Sequence, residues 1–186
     1  SPGHGPISIV IWTTTPWTLP ANQAVSLNPE FDYAMVQHGD ERLVLAENLL
    51  KDTMLRYGTD DYRVVAYCKG KDLEYMELHH PFYDRVVPII LGHHVTTEAG
   101  TGAVHTAPGH GQDDYIVGQQ YNIHVDNPVG DNGVFLPSTP LFAGKHVFSA
   151  NADVIDKLKE QEKLVHEEAL NHSYPHCWRH KTPIIF

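Results

Sequence analysis

Basic residues are scarce in this chain: 13 lysines and arginines stand against 23 aspartates and glutamates, a formal charge of -10. Phosphate neutralisation needs Lys and Arg, so the balance argues against a general nucleic-acid binder. Cysteine is nearly absent. The two present, Cys68 and Cys177, are far apart and outside any paired spacing, which argues against a disulfide framework or a four-cysteine zinc site and fits a reducing cytoplasm. No apolar run approaches the roughly 18 residues of a spanning helix. The opening Ser1-Pro2-Gly3-His4-Gly5-Pro6 has neither the charged nor the apolar region of a secretory signal. An initiating Met is missing and the sequence stops at Pro183-Ile184-Ile185-Phe186. The chain therefore reads as a piece of a longer protein, with residues 1–6 a linker or cloning remnant.

What is there suffices for one ordinary core: 186 residues with 41% hydrophobic content need no disulfide or metal to fold, and one domain over 1–186 is the default. Ile7 to Trp12 reads as a continuous, β-branched buried strand. Tyr33 to Gln37 and Arg42 to Ala46 flank His38-Gly39-Asp40-Glu41, a hairpin signal. Glu47 to Tyr57 places Leu49, Leu50, Met54 and Leu55 at helical spacing and stops before Gly58, a C-terminal cap. Tyr62 to Cys68, Leu73 to Leu78, Val86 to Leu91 and Gly102 to Thr106 read as strands separated by turns rather than by long helices. Gln112 to Tyr121 reads as a short helix, and Ala150 to Gln161 as a polar-faced helix with Val154, Ile155 and Leu158 inward. The pattern predicts an α/β fold with a mixed, barrel-like sheet core and a few peripheral helices. Asn127 to Gly144, rich in Gly, Pro, Asn and Ser, is a candidate mobile loop.

Two segments carry the chemistry. Thr13-Thr14-Thr15-Pro16-Trp17-Thr18-Leu19-Pro20-Ala21-Asn22 and Gly100-Thr101-Gly102-Ala103-Val104-His105-Thr106-Ala107-Pro108-Gly109-His110-Gly111-Gln112-Asp113-Asp114-Tyr115 abut apolar runs, so each reads as a polar loop held at a strand end, where sites sit. Four threonines in six positions exceed what strand propensity and turn chemistry require. Their hydroxyls and amides suit the positioning of a substrate's polar groups and a water. One carboxylate in a helix's first turn is stabilised by the dipole and the unpaired amides. A second adjacent one repels the first, unless a substrate ammonium answers it. His105, alone, reads as a satisfied core residue, a base, a ligand or a wall.

Together the two segments resemble the editing domain of isoleucyl-tRNA synthetases, the hydrolytic connective-polypeptide insertion of the bacterial class I enzymes. The resemblance runs down to Ser173-Tyr174-Pro175-His176-Cys177-Trp178-Arg179-His180-Lys181-Thr182-Pro183-Ile184-Ile185-Phe186, similar to the segment returning toward the synthetase body. Related valyl and leucyl enzymes usually carry Thr-Thr-Arg-Pro in the first motif. Thr-Thr-Thr-Pro followed by Trp17 favours the isoleucyl branch.

The resemblance implies hydrolysis of valine from valyl-tRNA(Ile), and of valyl-adenylate, with isoleucine excluded. It assigns Asp114 to the α-amino group and makes His105 a wall whose bulk limits the side chain admitted. Such a wall matters because one methylene is worth only about 1–3 kcal/mol in a pocket, a general figure for which isoleucyl-tRNA synthetases are the standing example. Substrate contacts fall on Thr13, Thr14, Thr15 and Asn22, with Trp17 either covering the pocket or only packing. Catalysis rests on Asp114, Thr14 and Thr15, with a vicinal ribose hydroxyl assisting and no side chain assigned as general base. The implied partners are the tRNA(Ile) 3′ end, the valyl-adenosine moiety and the rest of the synthetase. The implied form is a cytoplasmic monomer without a cofactor, a bound metal or a membrane.

Two other classes use the same residues. Fourteen histidines, among them His93, His94, His105, His110 and the group His172, His176 and His180 around Cys177, are compatible with a metal-dependent hydrolase, although no His-Glu-x-x-His spacing occurs. A catalytically silent module binding an aminoacyl-adenosine is the third class. Gly-x-Ser-x-Gly is absent, and Gly109-His110-Gly111 lacks the Lys-Ser/Thr of a phosphate loop. Arg179-His180-Lys181, the densest basic cluster, reads as a solvated charge run.

Overall fold

The computed structural model describes residues 3–169 and 173–185. They form two compact units: the described parts of Ser1–Thr13 and Asn22–Thr106, and those of Thr14–Ala21 and Ala107–Phe186. The chain thus passes from one unit to the other at Thr13–Thr14, Ala21–Asn22 and Thr106–Ala107, inside the two motifs that stood out in the sequence.

Among the described residues the first unit holds all eight strands: β1 (Ile7–Ile9), β2 (Ala24–Leu27), β3 (Asp32–His38), β4 (Glu41–Ala46), β5 (Arg63–Lys69), β6 (Glu77–His79), β7 (Val86–Leu91) and β8 (Ala103–Thr106). They make two four-stranded sheets, ordered β1-β4-β3-β5 and β6-β7-β2-β8. Each is mixed, with β1 parallel to β4 in one and β2 parallel to β7 in the other. The fold is mixed α/β with few helices, as the turn-separated strands predict.

The β3–β4 hairpin forms where the sequence places it. Gly39 takes the left-handed φ of +52° that a two-residue hairpin turn requires. The strand expected over Ile7 to Trp12 is shorter. It pairs only on one side, against β4, and leaves Ile7 53% and Trp12 39% exposed, so it is an edge strand and not a buried one. Leu73 to Leu78 likewise shrinks to β6, because a 3₁₀ turn over Gly70–Leu73 occupies its start. The strand β2 had no counterpart in the sequence reading.

The unit's core gathers Val25, Leu27, Tyr33, Val44, Ala46, Leu49, Ile89 and Ala103, drawn from both sheets. Tyr33 of β3, fully buried, donates its hydroxyl to Gly102 O at 2.5 Å and accepts from Asn28 N at 3.0 Å. It thereby pins one sheet to the segment entering β8. Helix α1 (Leu50–Arg56) follows a 3₁₀ turn over Glu47–Leu49 and ends at Gly58, whose φ is +82°. Leu49, Leu50 and Met54 face inward, but Leu55 is 72% exposed, against the helical-spacing reading. Leu55 lies outside the stripe of α1 that Leu50, Thr53 and Met54 bury.

Burial pushes the Tyr33 hydroxyl from 10.0 up to about 12. The unfolded chain ionises this phenol near 10, the folded chain only near 12. The stabilisation is therefore complete below pH 10 and is lost as pH rises to 12. The two-unit difference corresponds to about 3 kcal/mol. Denaturant midpoints at pH 9 and pH 12 should show this loss in the wild type. Tyr33→Phe is expected to be about 1–3 kcal/mol weaker at pH 9, with Gly102 O and Asn28 N unpaired, yet to lose less on going to pH 12. Equal alkaline losses in the two proteins would remove Tyr33 as the cause.

The second unit contains a 3₁₀ turn over Pro16–Ala21, helix α2 (Gln112–Gln120) and helix α3 (Val147–Glu160). Helix α3 starts earlier than expected because His146 caps it, its ring nitrogen accepting from Phe148 N. Val154 and Leu158 are buried beneath it and Ile155 is half-buried. Asn127 to Gly144 lacks regular strands, yet Phe135 and Phe142 are 1% and 2% exposed and turn hydrogen bonds run through it, such as Phe135 N to Lys145 O at 2.9 Å. Among the described residues no helix is long and apolar enough to cross a membrane.

Candidate active site

The first motif divides at Thr13. Within the first unit, the chain leaving β1 continues through Val10, whose N–H still reaches Val44 O at 3.1 Å. Val10 O accepts the hydroxyl of buried Thr101 at 2.5 Å, and Ala46 N donates to Thr101 O at 2.8 Å. Gly100 and Gly102, with φ of +80° and +76°, flank that threonine. A Cβ on Gly102 would lie 2.3 Å from the Ala46 Cβ, and one on Gly100 would touch the Trp12 ring at 3.2 Å. The glycines thus let the second motif pass against β4 and the chain leaving β1, and Thr101 fastens it there. The sequence quotes Thr101 within its motif but gives no sign of this role.

Within the same unit Asn22 and His105 meet. Both are buried, at 4% and 7% exposure. His105 lies on β8 opposite Val25 of β2. The Asn22 Nδ2 stands 2.8 Å from Ala24 O and 3.0 Å from His105 Nδ1. Beside them, the Ser26 and Thr106 hydroxyls share a hydrogen bond of 2.6 Å. His105 is therefore a satisfied buried histidine, and that packing gives its ring a fixed place.

In the second unit Thr14 is exposed and Thr15 half-buried. Thr15 O accepts from both Thr18 N at 3.0 Å and Thr18 Oγ1 at 2.9 Å. Thr18 is thus a turn residue that starts the 3₁₀ segment, where Pro20 is tolerated because so short a turn asks for few amide donors. Trp17 is buried at 3% exposure. Its backbone N–H donates to Asn151 Oδ1 of α3 at 2.9 Å, and its ring meets His110 and Phe148 edge-on at 5.1 and 6.5 Å. Of the two roles left open for Trp17, packing is what these contacts describe. Asn151 carried no sequence signal.

Helix α2 begins after Gly111 with both acidic residues in its first turn. They part company at once. Asp113 is exposed, whereas Asp114 is half-buried and its Oδ2 accepts from Ala107 N at 2.9 Å. A Cβ on Gly111 would press on the Asp114 carboxyl at 3.1 Å. The bare glycine therefore leaves room for that carboxylate to fold back toward the chain preceding the helix. An anchored carboxylate at a helix start suits recognition of a cationic group.

The histidines do not converge. His93 is exposed and His94 half-buried; His176 Nδ1 is engaged by Tyr174 O at 2.7 Å and His180 Nδ1 by Thr182 Oγ1 at 2.7 Å. His172 lies outside the described residues. Among the described residues no group of three or more His, Cys, Asp or Glu side chains is placed to hold a metal ion. In the basic cluster, the Arg179 guanidinium lies 5.2 Å from the Trp178 ring centre.

The class these features define is the aminoacyl-tRNA synthetase editing domain: the family described as leucyl-tRNA synthetase, editing domain, matches residues 4–168. Solved structures agree on the fold. The crystal structure of GlLeuRS-CP1 superposes with a TM-score of 0.71 at 16% identity, over 88% of this chain and 85% of that one. The P. falciparum cytosolic leucyl-tRNA synthetase editing domain gives 0.67 at 12% identity, over 87% and 80%. In sequence the chain is 69% identical to the isoleucine-tRNA ligase of Methylococcus capsulatus and 66% identical to that of Thioalkalivibrio sulfidiphilus, each over 99% of this chain. It spans 20% of the length of those relatives. The chain belongs to the synthetase editing-domain family, in its isoleucyl-tRNA synthetase branch.

Proposed function

We propose that residues 1–186 act as one editing domain within a longer isoleucyl-tRNA synthetase, hydrolysing valyl-tRNA(Ile), and valyl-adenylate, while sparing isoleucine. The observation that carries this reading is the different treatment of two adjacent carboxylates: Asp113 faces solvent, and Asp114 is half-buried and tethered to Ala107 N. A purely helix-stabilising pair would not need the second to be drawn in.

In this reading Asp114 holds the α-ammonium of the misattached valine. Water adds to the ester carbonyl carbon and the developing oxyanion is met by backbone amides and threonine hydroxyls. The bond to the ribose oxygen then breaks, the proton passes to that oxygen, and valine and tRNA leave. Thr13, Thr14, Thr15 and Asn22 contact the ester, its attacking water and the terminal adenosine, with Thr14 and Thr15 at the reaction itself, and Trp17 packs against the threonine turn. His105 limits the side chain admitted. The vicinal ribose hydroxyl assists proton transfer. The partners are the tRNA(Ile) 3′ end and the remainder of the synthetase, in a cytoplasmic monomer.

The test is deacylation of valyl-tRNA(Ile) against isoleucyl-tRNA(Ile), by this chain and by the intact enzyme, with and without chelator. Release of valine, persistence of the isoleucyl ester and indifference to chelation are expected. Given the charge of -10, this chain alone should need low salt to hold tRNA. Tight binding of a non-hydrolysable valyl-adenosine mimic without turnover in either protein would make it a binding module, and loss of activity on chelation a metal hydrolase.

A further inference from the structure

The Asn22 side chain is held from two directions, by Ala24 O and by His105. A backbone carbonyl only accepts, so the 2.8 Å contact with Ala24 O fixes which end of the Asn22 amide is the NH₂. The reversed amide would set oxygen against oxygen. That NH₂ has two hydrogens, and the second points at His105 Nδ1 at 3.0 Å. An amide nitrogen has no lone pair to offer, so the imidazole Nδ1 must be the acceptor. The neutral ring then carries its hydrogen on Nε2. Both residues are more than nine-tenths buried, and the register of β8 on β2 sets His105 opposite Val25, so neither side chain can turn away without breaking the pair.

We propose that Asn22 is a positioning residue for specificity: it locks His105 in the Nε2–H tautomer and in one ring orientation, and so sets the shape and polarity of the surface that refuses the larger amino acid. This rests on the reading of His105 as the size-limiting wall. Both amide hydrogens of Asn22 are committed within the protein, so its substrate contact in the proposed function falls to its Oδ1. A rigid wall discriminates a methylene better than one that rotates out of the way.

Long-range ¹H–¹⁵N spectra of the histidine rings in this chain test the tautomer without any substitution. The His105 ring should show a protonated Nε2 and an unprotonated, hydrogen-bonded Nδ1. A proton on Nδ1 overturns the proposal. In Asn22→Ala the ring should sample both tautomers, and in Asn22→Asp the carboxylate should draw the hydrogen to Nδ1. In deacylation by the intact enzyme, Asn22→Ala should lower the valine-over-isoleucine ratio by about 2- to 12-fold, the range for one hydrogen bond. In a His105→Ala background the same substitution should leave the ratio where it is. An equal drop in both backgrounds means that Asn22 acts on its own and overturns the positioning role. If His105→Ala alone leaves the ratio unchanged, the wall reading falls and the specificity role with it, while the tautomer assignment is still judged by the spectrum.

Discussion

Replacing Asp114 by alanine should cut valine release from valyl-tRNA(Ile) by roughly 30- to 150-fold in kcat/KM, the equivalent of about 2–3 kcal/mol for a charge-assisted hydrogen bond. The half-buried setting of the carboxylate places it above a solvent-screened surface pair. Alanine also removes the acceptor of Ala107 N, so part of any loss can come from a displaced helix start. Asp114→Asn separates the two effects. The amide keeps an oxygen for Ala107 N but no charge for an ammonium. Asn at this position is therefore expected to fold like the wild type by circular dichroism and to lose most of the activity. An Asp114→Asn enzyme that hydrolyses valyl ester at the wild-type rate would exclude the carboxylate from substrate recognition.

His105→Ala should open the reaction to isoleucyl-tRNA(Ile). Forcing an extra methylene against filled space costs about 1–3 kcal/mol. Deleting the ring should therefore raise isoleucyl ester hydrolysis roughly 5- to 150-fold while valyl ester hydrolysis changes much less. The ring is buried and bonded to Asn22, so the substitution also leaves the Asn22 amide with one hydrogen unpaired, and some loss of stability accompanies it. Initial rates on the two charged tRNAs, measured well below the melting temperature, keep the two effects apart. A variant that is merely unstable loses both activities together, and that outcome would argue for a core histidine with no part in selection.

Much of the frame is written locally. The β3–β4 hairpin needs only two strand-forming runs either side of Gly39, and the end of α1 needs only Gly58. The first-turn acidic pair of α2 is visible for the same reason. The missed strand β2 is four residues long with a polar Ser26 at its centre. Ser26 is fully buried because Thr106, far along the chain, answers its hydroxyl, and no local pattern announces such a partner. Leu55 erred the other way: spacing said inward, but α1 buries only the stripe of Leu50, Thr53 and Met54. The site follows the same division. The motif residues can be picked out by type and density, whereas the Asn22–His105 pairing, the Thr101 fastening and the Asn151 support of Trp17 join residues separated by 83, 91 and 134 positions. Only the folded backbone brings those together.

That last separation has a consequence for how the protein is made. The threonine turn leaves the ribosome early, but the Asn151 side chain that holds Trp17 N is 134 residues behind it. At a synthesis rate of about 5–20 residues per second, the turn waits roughly 7 to 27 seconds for its anchor. During that time the indole has no helix α3 to lie against, and an apolar ring on a nascent chain is what holding chaperones bind. Maturation of this segment is thus timed by translation of the far end of the domain, and slow codons between the two would lengthen the exposure.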